Sequence, residues 1–338
     1  MPPGLPFHQR APPRRLFPRL LGAGALLALT VFAWTSWLLP ALHARAGVRA
    51  AHELAGLLLP AKAAPSPRLL VLQHTHRPQG GLETASRLTH AAYAAALGYA
   101  YEMDTREYVP RRAPKAERMM NKAHSLLHYL EAELSKPRGA EWILWSDADT
   151  VIADPAVPAH ALVPPHRGAM YCAAQDHNGM NAGVMLLRVH VTTVRAVRTV
   201  IRLFESRARG AHTDQSAWGL MLRSDPGLAA GFYEMPKHWL NAYWLEDMAD
   251  GPVLQIHHVN WLKELPFAPA IRHAVGVARE ARARGGGGNG LHLMPQWRVA
   301  QDAAKEWWAK TPGGIASMRF LDEELGVLDA NGTVVEKK

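Results

Sequence analysis

The run Glu141-Trp142-Ile143-Leu144-Trp145-Ser146-Asp147-Ala148-Asp149-Thr150-Val151-Ile152 constrains this chain more than any other stretch. Its large apolar residues suit a strand buried in the interior of a sheet. The run ends in two carboxylates one residue apart, and apolar residues resume at once. Buried aspartates are rare unless paired or bound to a cation. Alternation along an extended chain puts Asp147 and Asp149 on one side. That arrangement suits a hard divalent ion such as Mg²⁺ or Mn²⁺, shared with a phosphate-bearing ligand. The competing reading is a solvated Asp-x-Asp turn.

The surrounding pattern supplies the context for such a strand. Leu69 to Gln73 reads as a buried strand, Leu82 to Leu97 as a helix stopped by Gly98, and Tyr99 to Met103 as a second strand. Lys115 to Leu134 has helical periodicity through Met119, Ala123, Leu126, Leu127 and Leu130. This alternation predicts an α/β fold with a single mixed, mostly parallel sheet flanked by helices. Ligands of such sheets sit outside the C-terminal strand ends, where the Asp pair falls. Further on, Ala169 to Ala174 and Ala182 to Val189 read as strands, Val191 to Arg207 and Asp214 to Leu222 as helices, and Val253 to His257 as a last strand. The glycine run at 284–290 is too unordered for a phosphate loop and reads as a flexible link.

With 338 residues and 48% apolar content the chain has ample length for a core. Its formal net charge of +9 raises the question of nucleic acid. The basic residues are scattered, however, and Arg10, Arg14, Arg15 and Arg19 crowd the N-terminus. They flank Leu20–Leu39, which is uncharged and mostly apolar. Twenty helical residues at about 1.5 Å each span roughly 30 Å, the thickness of a bilayer core. The positive flank predicts a single-pass type II anchor with the bulk of the chain on the lumenal side. The rival is a cleaved signal peptide ending at Ala44-Arg45-Ala46, though the apolar run exceeds the roughly 7–15 residues of a signal core. Asn331-Gly332-Thr333 is a glycosylation sequon consistent with either route. The single cysteine, Cys172, excludes an intrachain disulfide framework and reads as a buried, inert thiol.

Three other segments carry polar residues where chemistry would need them. In Gln175-Asp176-His177-Asn178-Gly179-Met180-Asn181-Ala182-Gly183, Asp176, Asn178 and Asn181 crowd one rim, and small residues let backbone N–H groups approach a ligand. An Asn-Gly hairpin turn explains the same residues without function. Thr213 caps a helix whose first turn holds Asp214, and capping alone accounts for both. His257-His258 closes the last strand, where one histidine is a candidate metal ligand, with Lys263 near enough in sequence to hold phosphate.

Taken together, these segments resemble a retaining glycosyltransferase family that includes fungal α-galactosyl- and α-mannosyltransferases and plant xyloglucan α-xylosyltransferases. The resemblance covers roughly residues 68–263 and rests on the Trp-rich approach to Asp147-Ala148-Asp149 and on Asp176-His177-Asn178-Gly179-Met180-Asn181-Ala182-Gly183. Asp214-Gln215-Ser216-Ala217 and Asn241-Ala242-Tyr243 resemble two further elements of the family. Its usual aromatic, small residue, Gly and Cys after the histidine are replaced by His258, Val259, Asn260 and Trp261, so His258 is an alternative ligand to His257. The His257–Lys263 spacing is also similar to the glycogenin-like family, which has Gly where Asn260 stands.

The resemblance implies a GT-A fold and a Golgi enzyme with its catalytic domain in the lumen. Its segments would be a basic cytosolic tail at 1–19, a signal-anchor helix at 20–39, a stem at 40–67, the catalytic domain at 68–265 and a helical or flexible extension at 266–338. The implied reaction transfers a hexosyl or pentosyl group, with retention, from a nucleotide-diphosphate sugar to a glycan or glycoprotein acceptor. Asp147, Asp149 and His257 would hold Mn²⁺ or Mg²⁺, and Lys263 would add charge at the departing phosphate. Asp214 and Gln215 would lie near the anomeric centre, while Asp176 and Asn178 would orient donor or acceptor hydroxyls and Asn181 would help to bind the donor. Two rivals are a metal-dependent phosphohydrolase, which needs more ligands than the chain supplies, and a degenerate transferase-like scaffold or glycan-binding module.

Overall fold

A computed structural model describes residues 39–59, 68–75, 81–176, 179–208, 210–243, 251–257, 267–286, 288–311, 313, 327–328 and 334–335. Residues 20–38 of the apolar run, Asn178, His258, Lys263 and the Asn331 sequon lie outside the described residues, and of His257 only the backbone is described. Among the described residues no helix is long and apolar enough to cross a membrane. The chain divides into two compact units at Leu42/His43, and every described strand belongs to the unit from His43 onward.

The elements in chain order are α1 (Leu39–Leu57), β1 (Leu69–His74), α2 (Gly81–Leu97), β2 (Ala100–Asp104), α3 (Lys115–Met119), α4 (Asn121–Ser135), β3 (Trp142–Ser146), β4 (Thr150–Ile152), β5 (Tyr171–Asp176) and β6 (Gly179–Arg188). They continue with α5 (Val191–Glu205), α6 (Asp214–Ser224), α7 (Pro226–Ala229), β7 (Phe232–Glu234), α8 (Lys237–Leu240), β8 (Gln255–His257), α9 (Phe267–Gly285) and α10 (Pro295–Lys310). A short antiparallel pair comes last, β9 (Val327–Leu328) with β10 (Val334–Val335).

Six strands form the central sheet in the order β2-β1-β3-β6-β5-β7. β6 runs against both its neighbours, and the remaining pairs are parallel. The mixed, mostly parallel α/β sheet expected from the sequence is therefore present. It is not the only sheet: β4 pairs with β8 in a separate antiparallel ribbon. The chain leaves the main sheet immediately after Ser146, which is why the apolar residues on either side of the Asp pair belong to different sheets.

Alternation along the interior strands divides the core into two layers. Leu69, Val71, Trp142, Leu144, Cys172, Val184 and Leu186 face one side, where residues of α2, α9 and α10 cover them. Leu70, Leu72, Ile143, Trp145, Tyr171, Ala173, Met185 and Leu187 face the other, under α4, α5 and α6. Leu54 and Leu58, in the stretch expected as a stem, are buried in the first layer, as is Trp308 of α10. Cys172 is fully buried, and burial pushes its thiol pKa far up, which keeps it inert as expected.

The helical run expected over Lys115–Leu134 is broken between α3 and α4. The Asn121 side chain supplies the reason. Its Oδ1 accepts from the backbone N–H groups of Tyr108 and Val109 at 2.8 and 2.9 Å, and its Nδ2 donates to the Arg118 carbonyl at 2.9 Å. That carbonyl is the one a continuous α-helix would pair with the backbone N–H of residue 122. Lys122, in the first turn of α4, reaches Asp147 just past the C-terminal end of β3.

Candidate functional site

Asp147 and Asp149 do not share one side of an extended strand. β3 ends at Ser146, and residues 147–149 form a turn closed by Thr150, whose N–H and hydroxyl donate to the Asp147 carbonyl at 3.1 and 2.8 Å. The Asp147 N–H donates to Gly183 O at 2.8 Å, which fixes the turn against β6. A threonine hydroxyl that bonds the backbone three residues earlier favours a turn over continued extension. The solvated-turn geometry is thus correct for the backbone, while the position at the C-terminal strand edge is the one expected of a ligand site.

The Asp147 carboxylate is held by two groups. Lys122 Nζ, from the first turn of α4, stands 3.0 Å from Oδ1 and 3.1 Å from Oδ2. The Trp145 indole N–H donates to Oδ1 at 3.1 Å. The same ammonium forms an ion pair with Asp214 Oδ2 at 2.7 Å and donates to the Ala182 carbonyl at 3.1 Å. One cation therefore joins the acidic turn, β6 and the start of α6. Burial alone would depress the Lys122 pKa, but the carboxylates of Asp147 and Asp214 override it and hold the pKa well above the usual lysine range.

A second polar cluster is built on the β5–β6 hairpin. Asp176 Oδ2 accepts from Asn181 Nδ2 at 2.6 Å and from the Tyr243 hydroxyl at 3.1 Å, while Oδ1 accepts from Gln215 Nε2 at 3.4 Å. Asn181 Oδ1 in turn accepts from the Gly183 N–H at 2.7 Å, next to the carbonyl that fixes the acidic turn. The Lys237 ammonium lies 3.4 Å from the Tyr243 ring centroid. At the start of α6, Thr213 and Ser216 form a reciprocal capping box, so Asp214 and Gln215 leave a fixed helix terminus. Asp214 is buried and its charge is directed to Lys122. Gln215, one residue on, reaches Asp176.

Beside the turn lies a cleft of about 390 Å³ lined by His74, Thr75, Glu83, Lys115, Arg118, Met119, Asn121, Lys122, Trp145, Asp147, Ala148 and Asp149. Burial lowers the His74 pKa, which favours the neutral imidazole at pH 7 with Nε2 donating to the Arg106 carbonyl at 2.9 Å. The cleft thus combines three cations with three carboxylates at the C-terminal ends of β1 and β3.

The structure brings Asp147, Asp149, Asp176, Asn181, Asp214 and Gln215 into two linked clusters. For His257 the β4–β8 register gives a placement of the backbone, opposite Thr150 and one residue from Asp149. Two carboxylates with an imidazole-bearing position alongside form a donor set suited to Mn²⁺ or Mg²⁺. Among the described residues no group of three His, Cys, Asp or Glu side chains converges on one point.

Sequence reasoning passed over Lys122, Trp145 and the basic pair Lys115 and Arg118. Lys122 carried a readable signal: it precedes Leu126 and Leu130 at four-residue intervals, on the helix face that points to the core. A lysine on that face needs a buried partner.

No family model matches the chain, and no curated protein matches it in sequence. Among solved structures, a glycosyltransferase involved in glycosylating the major capsid of PBCV-1 superposes with a TM-score of 0.50 at 14% identity, over 61% of this chain and 99% of that one. The glycosyltransferase GlyE of Streptococcus pneumoniae TIGR4 gives a TM-score of 0.36 at 16% identity, over 74% and 66% of the two chains. The likeness to the capsid enzyme, which takes in nearly the whole of that protein, shows that the chain shares its fold.

Proposed function

We propose that this chain transfers a hexosyl or pentosyl group from a nucleotide-diphosphate sugar to a glycan or glycoprotein acceptor, with retention and with dependence on a divalent metal. The observation that carries this reading is the acidic turn Asp147–Asp149 opening onto a charged cleft at the C-terminal strand ends of a glycosyltransferase fold. Membership of the retaining family is supported by the motifs around Asp147, Asp176 and Asp214. A type II anchor and a Golgi location are supported by the arginine-flanked apolar run at 20–39.

The chemistry needs the diphosphate to leave with its charge neutralised and the sugar to be held while the glycosidic bond breaks. Asp147, Asp149 and His257 are the residues that would hold the metal, which when bound acts as a Lewis acid on the diphosphate. Lys122 fixes the Asp147 carboxylate and balances the buried Asp214, so that it positions the acidic turn. Asp176, with its Asn181, Tyr243 and Gln215 partners, presents a pre-oriented carboxylate to the sugar hydroxyls. Lys263 would add a positive charge at the departing phosphate. No side chain is assigned as a covalent nucleophile.

The test is hydrolysis of a panel of nucleotide sugars by the full chain with Mn²⁺, against the double variant Asp147→Asn plus Asp149→Asn. Metal-dependent hydrolysis of at least one donor by the wild type, abolished in the double variant, is expected. Unchanged turnover in that variant would sink the reading.

A further inference from the structure

The cleft contains two cations that the proposed chemistry leaves without a task. Lys115 and Arg118 both come from the five-residue helix α3, and both line the cleft with Asp147 and Asp149. Lys122, the third cation of the lining, is committed to Asp147 and Asp214. Among the described residues the Arg118 Nε is buried and has no hydrogen-bond partner. A buried guanidinium N–H without an acceptor is uncommon in a folded protein and asks for a bound water or ion, and Arg118 lines the cleft in which one would sit.

Charge balance points to the same class of ligand. The lining holds Lys115, Arg118 and Lys122 against Glu83, Asp147 and Asp149, with His74 neutral, and the buried Asp214 behind Lys122 adds a fourth carboxylate, so the side chains sum to one negative charge. A divalent ion turns that sum positive, which suits an anionic ligand. Without Lys115 and Arg118, the metal-loaded cleft would stay net negative and would repel an anion. Asn121, which also lines the cleft, bonds the Arg118 carbonyl and so ties the end of α3 to the start of α4, from which Lys122 projects.

We infer that Lys115 and Arg118 form a diphosphate-binding wall of the donor site, in the cleft they share with the acidic turn, with Arg118 offering its planar N–H fork to phosphate oxygens and Lys115 a point charge. This rests on the proposed glycosyl transfer from a nucleotide donor. It assigns to α3 part of the phosphate recognition that the acidic turn and its metal cannot supply alone.

The experiment is calorimetric titration of the detergent-solubilised full chain with UDP, GDP, ADP and CDP, and with the matching monophosphates, in Mn²⁺ and in EDTA. Mn²⁺ affinity is read separately by electron paramagnetic resonance. For whichever nucleotide binds, Arg118→Gln and Lys115→Gln are each expected to weaken the diphosphate about tenfold, the equivalent of one charge-assisted contact, with Mn²⁺ affinity unchanged. The monophosphate is expected to lose less. Lys115 is exposed, so its substitution is compatible with folding, and Arg118→Lys is expected to restore part of the affinity. Diphosphate binding that is unaltered in both glutamine variants, yet lost in Asp149→Asn, overturns the inference and leaves the proposed function standing. Absence of any nucleotide binding to the wild type overturns both.

Discussion

Replacing Lys122 with Met tests the centre of the site, because it removes the ammonium and keeps most of the side-chain volume. Lys122 and Asp214 have side chains 14% and 2% exposed, and Asp147 is 23% exposed. At an effective dielectric of about 20, each pair near 3 Å has a Coulombic attraction of about 5–6 kcal/mol. Desolvation of three charges offsets much of this. The measurable quantity is therefore the cost of orphaning a buried charge, about 3–5 kcal/mol, most of it at Asp214. Adding Asp214→Asn to Lys122→Met removes the orphan, and the double variant is expected to recover about 2 kcal/mol or more. The Lys122 pKa is raised above its unfolded value, so this stabilisation is fully present below about pH 10. It is lost only above that, and the pattern is expected to be the same at pH 6 and pH 9. Urea unfolding of the wild type, both single variants and the double variant closes the cycle. Single-variant losses that add to the double-variant loss within about 0.5 kcal/mol would refute a shared ion triad.

Asp154 is buried, and burial raises its carboxyl pKa to about 6 despite the Ala156 N–H that donates to it. A folded pKa above the unfolded 3.8 means that ionisation costs stability as pH rises from about 4 to 6. Asp154→Asn is therefore expected to stabilise by about 3 kcal/mol at pH 7.5 and by well under 1 kcal/mol at pH 4. Equal melting shifts at the two pH values would contradict this. Tyr243→Phe removes a donor to Asp176 at a cost of about 1 kcal/mol; steady-state kinetics are expected to show a fall in kcat larger than the change in donor KM. Asn121→Ala frees the N–H groups of Tyr108 and Val109 and the Arg118 carbonyl, a loss of about 1–3 kcal/mol. Hydrogen exchange is expected to accelerate at residues 108 and 109, and unchanged protection there would remove Asn121 as the cause of the helix break.

The layers of this fold were legible because they rest on short-range patterns. Leu69–Leu72 and Trp142–Trp145 are continuous apolar runs, and both became parts of interior strands buried on two faces. The helix break at Met120 was hidden, since it depends on the Asn121 amide meeting the backbone of residues 108 and 109, a tertiary event without a local signature. The transfer of residues 150–152 to a second sheet was hidden for a related reason. Thr150 to Ile152 has ordinary strand character, and only its pairing with Gln255–His257 decides which sheet it joins.

The site divides along the same line. Carboxylates announce themselves locally, because an Asp pair after an apolar strand is improbable without a partner. The partner is set by the fold. Asp147 accepts from a lysine twenty-five residues upstream and from the indole two residues before it, and the backbone of the turn is secured by Gly183 and Thr150. The sequence therefore pointed to a cation at this turn, and the fold supplies one from its own chain, in Lys122. A carboxylate has about four acceptor positions, and three contacts already fall on Asp147. A metal at this turn would share Asp147 with Lys122 and Trp145, so the proposed site leans on Asp149 and on the residue that β8 brings alongside Thr150. The histidine that ends β8 thus matters more to the metal reading than the carboxylate that first suggested it.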